Sequence, residues 1–161
     1  MEKEFIKTLE LHCGIVYKVC KIYCPNNADD SQDLFQDIVA QLWRAWGTYR
    51  GEAKITTWIY RIALNTAISG YRKQKRKPLN NEISSEALFV AQDSTQQKRE
   101  DLELLYLAIS KLSETEKAMV TLYLDEIPYD EVATLLGISQ NNVRVKMLRI
   151  REKLRKIMEN D

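Results

Sequence analysis

The sequence has 161 residues, a formal net charge of +1 and 29% charged side chains. This length suits one or two small domains, and no apolar run approaches the roughly 18 residues that a membrane span requires. The polar N-terminus predicts no signal peptide, and a sparse set of three cysteines fits a reducing compartment. We therefore expect a cytoplasmic protein that does not insert into membranes.

The small net charge conceals four segments of alternating sign. Residues 1–43 sum to −3 and residues 44–77 to +8, whereas residues 78–138 sum to −8 and residues 139–161 to +4. Clustered cations are the electrostatic signature of a surface that binds nucleic acid. The two basic segments are therefore the first candidates for such a surface.

The first half of the chain predicts three helices. Apolar residues recur at helical spacing over residues 3–23, 31–46 and 56–74, and strand-like alternation is absent. Proline, asparagine and aspartate interrupt the pattern at 25–30, and glycines interrupt it at 47–51. This half of the chain therefore indicates a small all-α domain.

A polar stretch with little periodicity follows this domain. Residues 78–100 are rich in Asn, Ser, Gln and Glu, which predicts a flexible linker. Helical spacing then returns, and Ser113 with Glu116 matches a capping box at the start of a helix. The fold class that we expect is all-α, with two small helical domains over residues 1–77 and 101–161.

Residues 129–147 match a helix-turn-helix. Small Ala133 lets two helices approach, Gly137 can adopt the left-handed turn conformation, and Ser139 can cap the second helix. Apolar residues in the second helix then step by four and three positions and mark a buried seam: Val143, Met147, Ile150, Leu154 and Ile157.

The face opposite this seam combines amides, guanidinium groups and exposed methyl groups, which is the mixture that reads base edges in the major groove. The alternative is an amphipathic helix with a merely solvated face, but the glycine turn, the cap and the outward apolar residues favour DNA. The candidate DNA-contacting residues are Ser139, Gln140, Asn141, Asn142, Arg144, Val145, Leu148 and Arg149.

Aromatic residues are interleaved with cations in the basic segment 44–77. The segment contains Trp46, Tyr49, Trp58, Tyr60 and Tyr71 among nine lysines and arginines. Aromatic faces between cations suit unstacked bases and their phosphates. The alternative is that the two tryptophans are core residues: the spacing favours the core for Trp46 and leaves Trp58 undecided.

Three stretches of the first half resemble region two of the sigma-70 family, namely residues 33–46, 49–51 and 57–67. Residues 113–157 resemble region four of the same family. A layout of two regions joined only by a linker is similar to the extracytoplasmic-function (ECF) subfamily. The resemblance covers about three quarters of the chain. Two motifs in the right order are far more specific to this family than a lone helix-turn-helix.

The resemblance implies an alternative sigma factor, which binds core RNA polymerase, directs it to promoters through −10 and −35 elements and promotes DNA melting. It implies no enzymatic activity, no cofactor and an anti-sigma factor as a further partner. The family's polymerase-binding motif falls on Gln32, Asp33, Gln36, Asp37 and Trp43. The −10 DNA-binding residues would be Tyr49, Arg50, Lys54, Trp58, Tyr60, Arg61, Asn65, Arg72 and Lys73. The helix-turn-helix residues given above would bind the −35 element.

Two other classes of protein compete with this interpretation. A dimeric helix-turn-helix repressor or activator would bind its operator without polymerase. A helical adaptor would use the basic segments to contact RNA or membranes. Residues 31–77 separate the first two classes, because a repressor has no reason to combine a polymerase-binding helix with an aromatic basic loop.

The cysteines invite a zinc interpretation that we do not favour. Cys13, Cys20 and Cys24 fall near one side of the predicted first helix, with His12 beside them. A structural zinc site needs four ligands, commonly with one pair close across a turn. We therefore expect structural thiols and no metal.

Overall fold

The computed structural model describes residues 1–74 and 96–160, and the side chains of residues 1–70 and 96–160. All regular structure in these residues is helical, which confirms the predicted all-α class. Contacts divide the chain into two units, Met1–Ser84 and Ser85–Asp161. No helix among the described residues combines the length and the apolar character that a membrane span requires.

The first unit contains three α-helices and a short 3-10 helix. The α2 helix starts three residues earlier than the spacing predicts, because Asn27 is its N-cap. The Asn27 side-chain oxygen accepts a hydrogen bond of 3.0 Å from the backbone N–H of Asp30, and acidic residues in the first turn suit the helix dipole. The elements are α1 (Glu2–Tyr23), α2 (Ala28–Ala45), the 3-10 helix (Trp46–Thr48) and α3 (Ile55–Gln74).

All three helices supply the core of the first unit. Helix α3 contacts both α1 and α2. Its buried stripe is consequently wide: Ile59, Tyr60, Ala63, Leu64 and Ala67 are buried, and Ile62 and Thr66 are half-buried. The innermost side chains from α1, α2 and α3 are Val16, Val19, Cys20, Ile22, Ile38, Leu42, Ile59, Tyr60 and Ala63.

The second unit contains four α-helices. The first begins at Gln96, so the assignment of residues 96–100 to the linker was wrong. Gln, Lys, Arg and Glu in that stretch are good helix formers and extend the amphipathic helix upstream. The remaining linker residues, 78–95, lie outside the described residues. The helices are α4 (Gln96–Ser110), α5 (Glu114–Leu124), α6 (Tyr129–Leu136) and α7 (Gln140–Asn160).

The predicted capping box starts α5. The Ser113 hydroxyl accepts a hydrogen bond of 3.2 Å from the Glu116 N–H, and the Glu116 carboxylate accepts one of 3.0 Å from the Ser113 N–H. Lys153 of α7 adds a salt bridge of 3.1 Å to the same carboxylate. Glu116 therefore stabilises the start of α5 and connects it to α7.

The Glu116 carboxyl makes the stability of the second unit depend on pH. Partial burial raises its pKa, but the hydrogen bonds from Ser113 and Lys153 outweigh burial, so the pKa is lowered overall. A carboxyl with a lowered pKa stabilises the fold above its unfolded pKa of about 4.3, and this contribution is lost as the pH falls through the folded value.

We expect Glu116→Ala to lower the free energy of unfolding by about 1 kcal/mol at pH 7, because a capping partner is lost. The difference in the free energy of unfolding between this variant and the wild type should become smaller as the pH falls from 5 to 3. Urea denaturation followed by circular dichroism at several pH values measures this difference. A difference that grows as the pH falls would contradict the role given to Glu116.

Candidate polymerase and DNA interfaces

The predicted helix-turn-helix is present as α6, a three-residue turn and α7. Gly137 ends α6 with a φ of 68°, a left-handed conformation that glycine adopts without a steric penalty. The Ser139 hydroxyl accepts a hydrogen bond of 3.1 Å from the Asn142 N–H, which caps α7 as predicted. Val132 and Ala133 of α6 are buried, so the first helix packs closely on its neighbours.

Helix α7 has one buried face and one exposed face. Val143, Met147 and Ile150 are buried. On the outer face Leu148 is 70% exposed and Val145 38% exposed, so aliphatic side chains lie among its polar groups. All eight predicted −35 residues are exposed: Ser139, Gln140, Asn141, Asn142, Arg144, Val145, Leu148 and Arg149.

The predicted polymerase-binding residues lie on one exposed side of α2. Four of them are polar and exposed, namely Gln32, Asp33, Gln36 and Asp37. The fifth, Trp43, is 47% exposed, and its ring packs against Phe5 of α1 with the ring centroids 5.0 Å apart. This side of α2 therefore presents carboxylates and amides next to a partly exposed tryptophan.

A short loop between the 3-10 helix and α3 carries the first predicted −10 residues. We call residues 49–54 the −10 loop. The Tyr49 hydroxyl donates a hydrogen bond of 2.7 Å to the Ala53 carbonyl, and Gly51 has a φ of 76°. Arg50 and Lys54 are exposed, so the loop directs two cations outward.

An aromatic cluster supports the −10 loop. The Trp58 ring lies 5.1 Å from that of Tyr49 and 6.0 Å from that of Trp46, and Trp46 lies 5.5 Å from Phe5. Both Trp46 and Trp58 are half-buried, so neither is a core residue and neither is fully exposed to solvent. Sequence reasoning missed Phe5, because no spacing signal relates it to the distant aromatic residues.

One predicted DNA contact is wrong. Tyr60 is fully buried in the core of the first unit, so its ring cannot reach a base. Arg61 and Asn65, which follow on α3, are exposed. The backbone of Arg72 and Lys73 belongs to α3, but their side chains lie outside the described residues.

The three cysteines form no disulfide, and burial, with a smaller contribution from Cys24, raises the pKa of Cys20 to about 12. Such a thiol is unreactive at neutral pH. Across residues 1–74 and 96–160, no cluster of three or more His, Cys, Asp or Glu side chains is arranged to hold a metal ion.

Family models match both units of the chain. The model of Sigma-70 region 2 matches residues 9–77, and that of Sigma-70, region 4 matches residues 102–154. The first match contains the α2 surface and the −10 loop, and the second contains the helix-turn-helix. The two matches together cover about three quarters of the chain, in the order that the sequence predicts.

Curated proteins and solved structures agree with these matches. The chain is 27% identical over 146 residues to the RNA polymerase sigma-H factor of Pseudomonas aeruginosa, covering 83% of this chain and 76% of that protein. It is 29% identical over 142 residues to the ECF RNA polymerase sigma-E factor of Escherichia coli, covering 81% and 73%.

Two solved structures share the fold. The first is the sigma factor RpoE in complex with the anti-sigma factor NepR from Bartonella quintana, with a TM-score of 0.78, 21% identity and 99% coverage of both chains. The second is CnrH in complex with the cytosolic domain of CnrY, with a TM-score of 0.71, 19% identity and coverage of 100% and 91%. The chain belongs to the sigma-70 family as an ECF sigma factor, which directs RNA polymerase to promoters and is not itself an enzyme.

Proposed function

We propose that three separate surfaces each bind a different partner during transcription initiation. The exposed side of α2 binds core RNA polymerase, the −10 loop with the start of α3 binds the melted −10 strand, and the outer face of α7 reads the −35 element as duplex. The observation that carries this proposal is exposure: every predicted contact whose side chain is described, except Tyr60, is exposed or half-buried.

The outer face of α7 has the chemistry that reads base pairs in the major groove. Arg149 can donate two hydrogen bonds to guanine, and Asn141 can both donate to and accept from adenine. The exposed side chains of Val145 and Leu148 offer apolar contact to thymine methyl groups. The cap at Ser139 orders the start of the helix, where such contacts are concentrated.

The −10 loop and α3 have the chemistry that holds single-stranded DNA. Arg50 and Lys54 are exposed cations in the loop, and Arg61 is an exposed cation in the same helix as Trp58, whose ring is half-buried. Opening DNA costs about 1.4 kcal/mol of stacking per base step, whereas stacking on an aromatic ring returns about 1–3 kcal/mol per base. A few captured bases together with phosphate neutralisation therefore offset a short melted segment.

Polymerase would combine two DNA contacts that are weak on their own. The +8 and +4 segments attract phosphates, but the chain as a whole carries only +1. Joining both contacts on one enzyme turns the second into an intramolecular event with a high effective concentration. The free protein should therefore bind duplex promoters poorly.

The proposal also includes a cytoplasmic location and an anti-sigma partner. Core polymerase and promoter DNA would be met in the cytoplasm. Both structural neighbours were solved in complexes, one with the anti-sigma factor NepR and one with the cytosolic domain of CnrY. An anti-sigma factor would bind this chain by covering its polymerase-binding or DNA-binding surfaces.

Trp58→Ala tests the opening step. We expect it to lower the formation of open complex on a duplex promoter about tenfold, since one stacking surface is lost, and to change polymerase binding little. Permanganate reactivity of thymines near −10 measures opening. Trp58→Phe, which keeps a ring against Tyr49 and Trp46, is the matched control. A pre-melted promoter that fails to rescue Trp58→Ala would show that the opening role is wrong.

A further inference from the structure

We propose that Tyr49 is a positioning residue that holds the −10 loop closed before DNA arrives, and that it is not a direct base contact. This inference rests on the function proposed above and assigns Tyr49 a different role within the same surface. Two kinds of contact carry it, one made by the Tyr49 hydroxyl and one made by its ring.

The hydroxyl closes the loop. Tyr49 Oη donates its hydrogen to the Ala53 carbonyl at 2.7 Å, so one bond joins the two ends of a turn that passes through Gly51. Gly51 has a φ of 76°, where other residues are strained, so the turn is built for this tight path. The hydroxyl hydrogen is consequently not available for a base.

The ring anchors the closed loop to the helices on both sides. It lies 5.1 Å from the Trp58 ring of α3 and 6.3 Å from the Trp46 ring of the 3-10 helix, with an interplanar angle of 24° to the latter. Phe5 of α1 in turn contacts Trp46, with the ring centroids 5.5 Å apart. The ring is therefore half-buried in a packed cluster, and its contacts with Trp46 and Trp58 fix its position.

A loop that is ordered in the free protein loses less conformational entropy when it binds DNA. Closure by Tyr49 leaves three charged side chains of the loop exposed, namely those of Arg50, Glu52 and Lys54. The cationic side chains of Arg50 and Lys54, and not Tyr49, would then meet the DNA strand. Tyr49 contributes indirectly by fixing the loop in the conformation that presents them.

Tyr49→Phe tests this role because it removes only the hydroxyl and keeps the ring packing. In the free full-length protein, we expect amide hydrogen exchange over residues 50–54 to become about five-fold faster, the effect of losing one hydrogen bond. In the holoenzyme, we expect affinity for promoter DNA with a single-stranded −10 segment to fall by about the same factor.

Tyr123→Phe is the matched control. Tyr123 lies in the second unit, and its ring packs 5.7 Å from the Arg151 guanidinium, a contact that phenylalanine retains. We expect exchange over residues 50–54 and affinity for the −10 strand to stay at wild-type values in this variant.

Three results would overturn the proposal. Weaker DNA binding with unchanged exchange would make Tyr49 a direct contact. Faster exchange with unchanged DNA binding would show that closure does not matter for recognition, and no change in either would remove any role for the hydroxyl. If the wild-type holoenzyme binds no promoter, the proposed function itself fails, whereas the exchange rates of the free protein still report loop closure separately.

Discussion

Reversing the charge of Asp37 to lysine is expected to weaken binding to core RNA polymerase about a hundred-fold, because a like charge in a complementary interface costs several kcal/mol. Asp37 is exposed on the same side of α2 as Asp33 and Gln36. A helix side that presents carboxylates suits a basic groove on a partner. The substitution leaves the core of the first unit untouched, so the fold should persist.

Glu10→Lys is the control for this substitution. It makes the same charge change on an exposed residue of α1, outside the predicted polymerase-binding set. Fluorescence anisotropy of labelled protein titrated with core polymerase measures both affinities. Equal losses for the two variants would indicate a general effect of net charge and would remove Asp37 from the interface.

Arg149→Ala should reduce discrimination among −35 sequences by about 1–3 kcal/mol, the worth of one bidentate contact to guanine. Arg149 is exposed on the outer face of α7 beside Val145 and Leu148. Competition between the best promoter and its single-base variants, measured with the holoenzyme, gives the discrimination at each position. The loss should be concentrated at one base pair.

Arg155→Ala is the matched control on the same helix. The Arg155 guanidinium is paired with Glu152 and Glu159, so it is already occupied within α7. We expect this variant to keep wild-type discrimination. If Arg149→Ala instead weakens binding to all sequences equally, Arg149 contacts phosphate and does not read a base.

Short-range features of the sequence were sufficient to predict most of the second unit. The capping box of Ser113 and Glu116, the left-handed Gly137 and the Ser139 cap each depend on residues within one helical turn. Apolar spacing also predicted the buried residues Val143, Met147 and Ile150 of α7, whereas Leu154 and Ile157 of the predicted seam are half-buried. Because the sequence pattern and the backbone agree within a few residues, these elements can be predicted without a structure.

Long-range packing explains what the sequence could not reveal. Tyr60 was assigned to DNA because it lies in a basic aromatic segment, yet it is buried since α3 packs against two helices and has a wide buried stripe. The contact of Phe5 with Trp43 and Trp46 depends on how α1 meets α2, which periodicity does not encode. The role of Tyr49 depends instead on a hydrogen bond between residues four apart in an irregular loop, whose conformation apolar spacing does not predict.

The most direct test of the sigma-factor function is run-off transcription by core RNA polymerase on a library of fragments from the source genome. Adding this protein should start transcription at a small set of sites that share −10 and −35 sequences, and core polymerase alone should not use these sites. Failure to bind core polymerase, together with tight binding of the free protein to duplex DNA, would contradict the assignment and favour a helix-turn-helix repressor or activator.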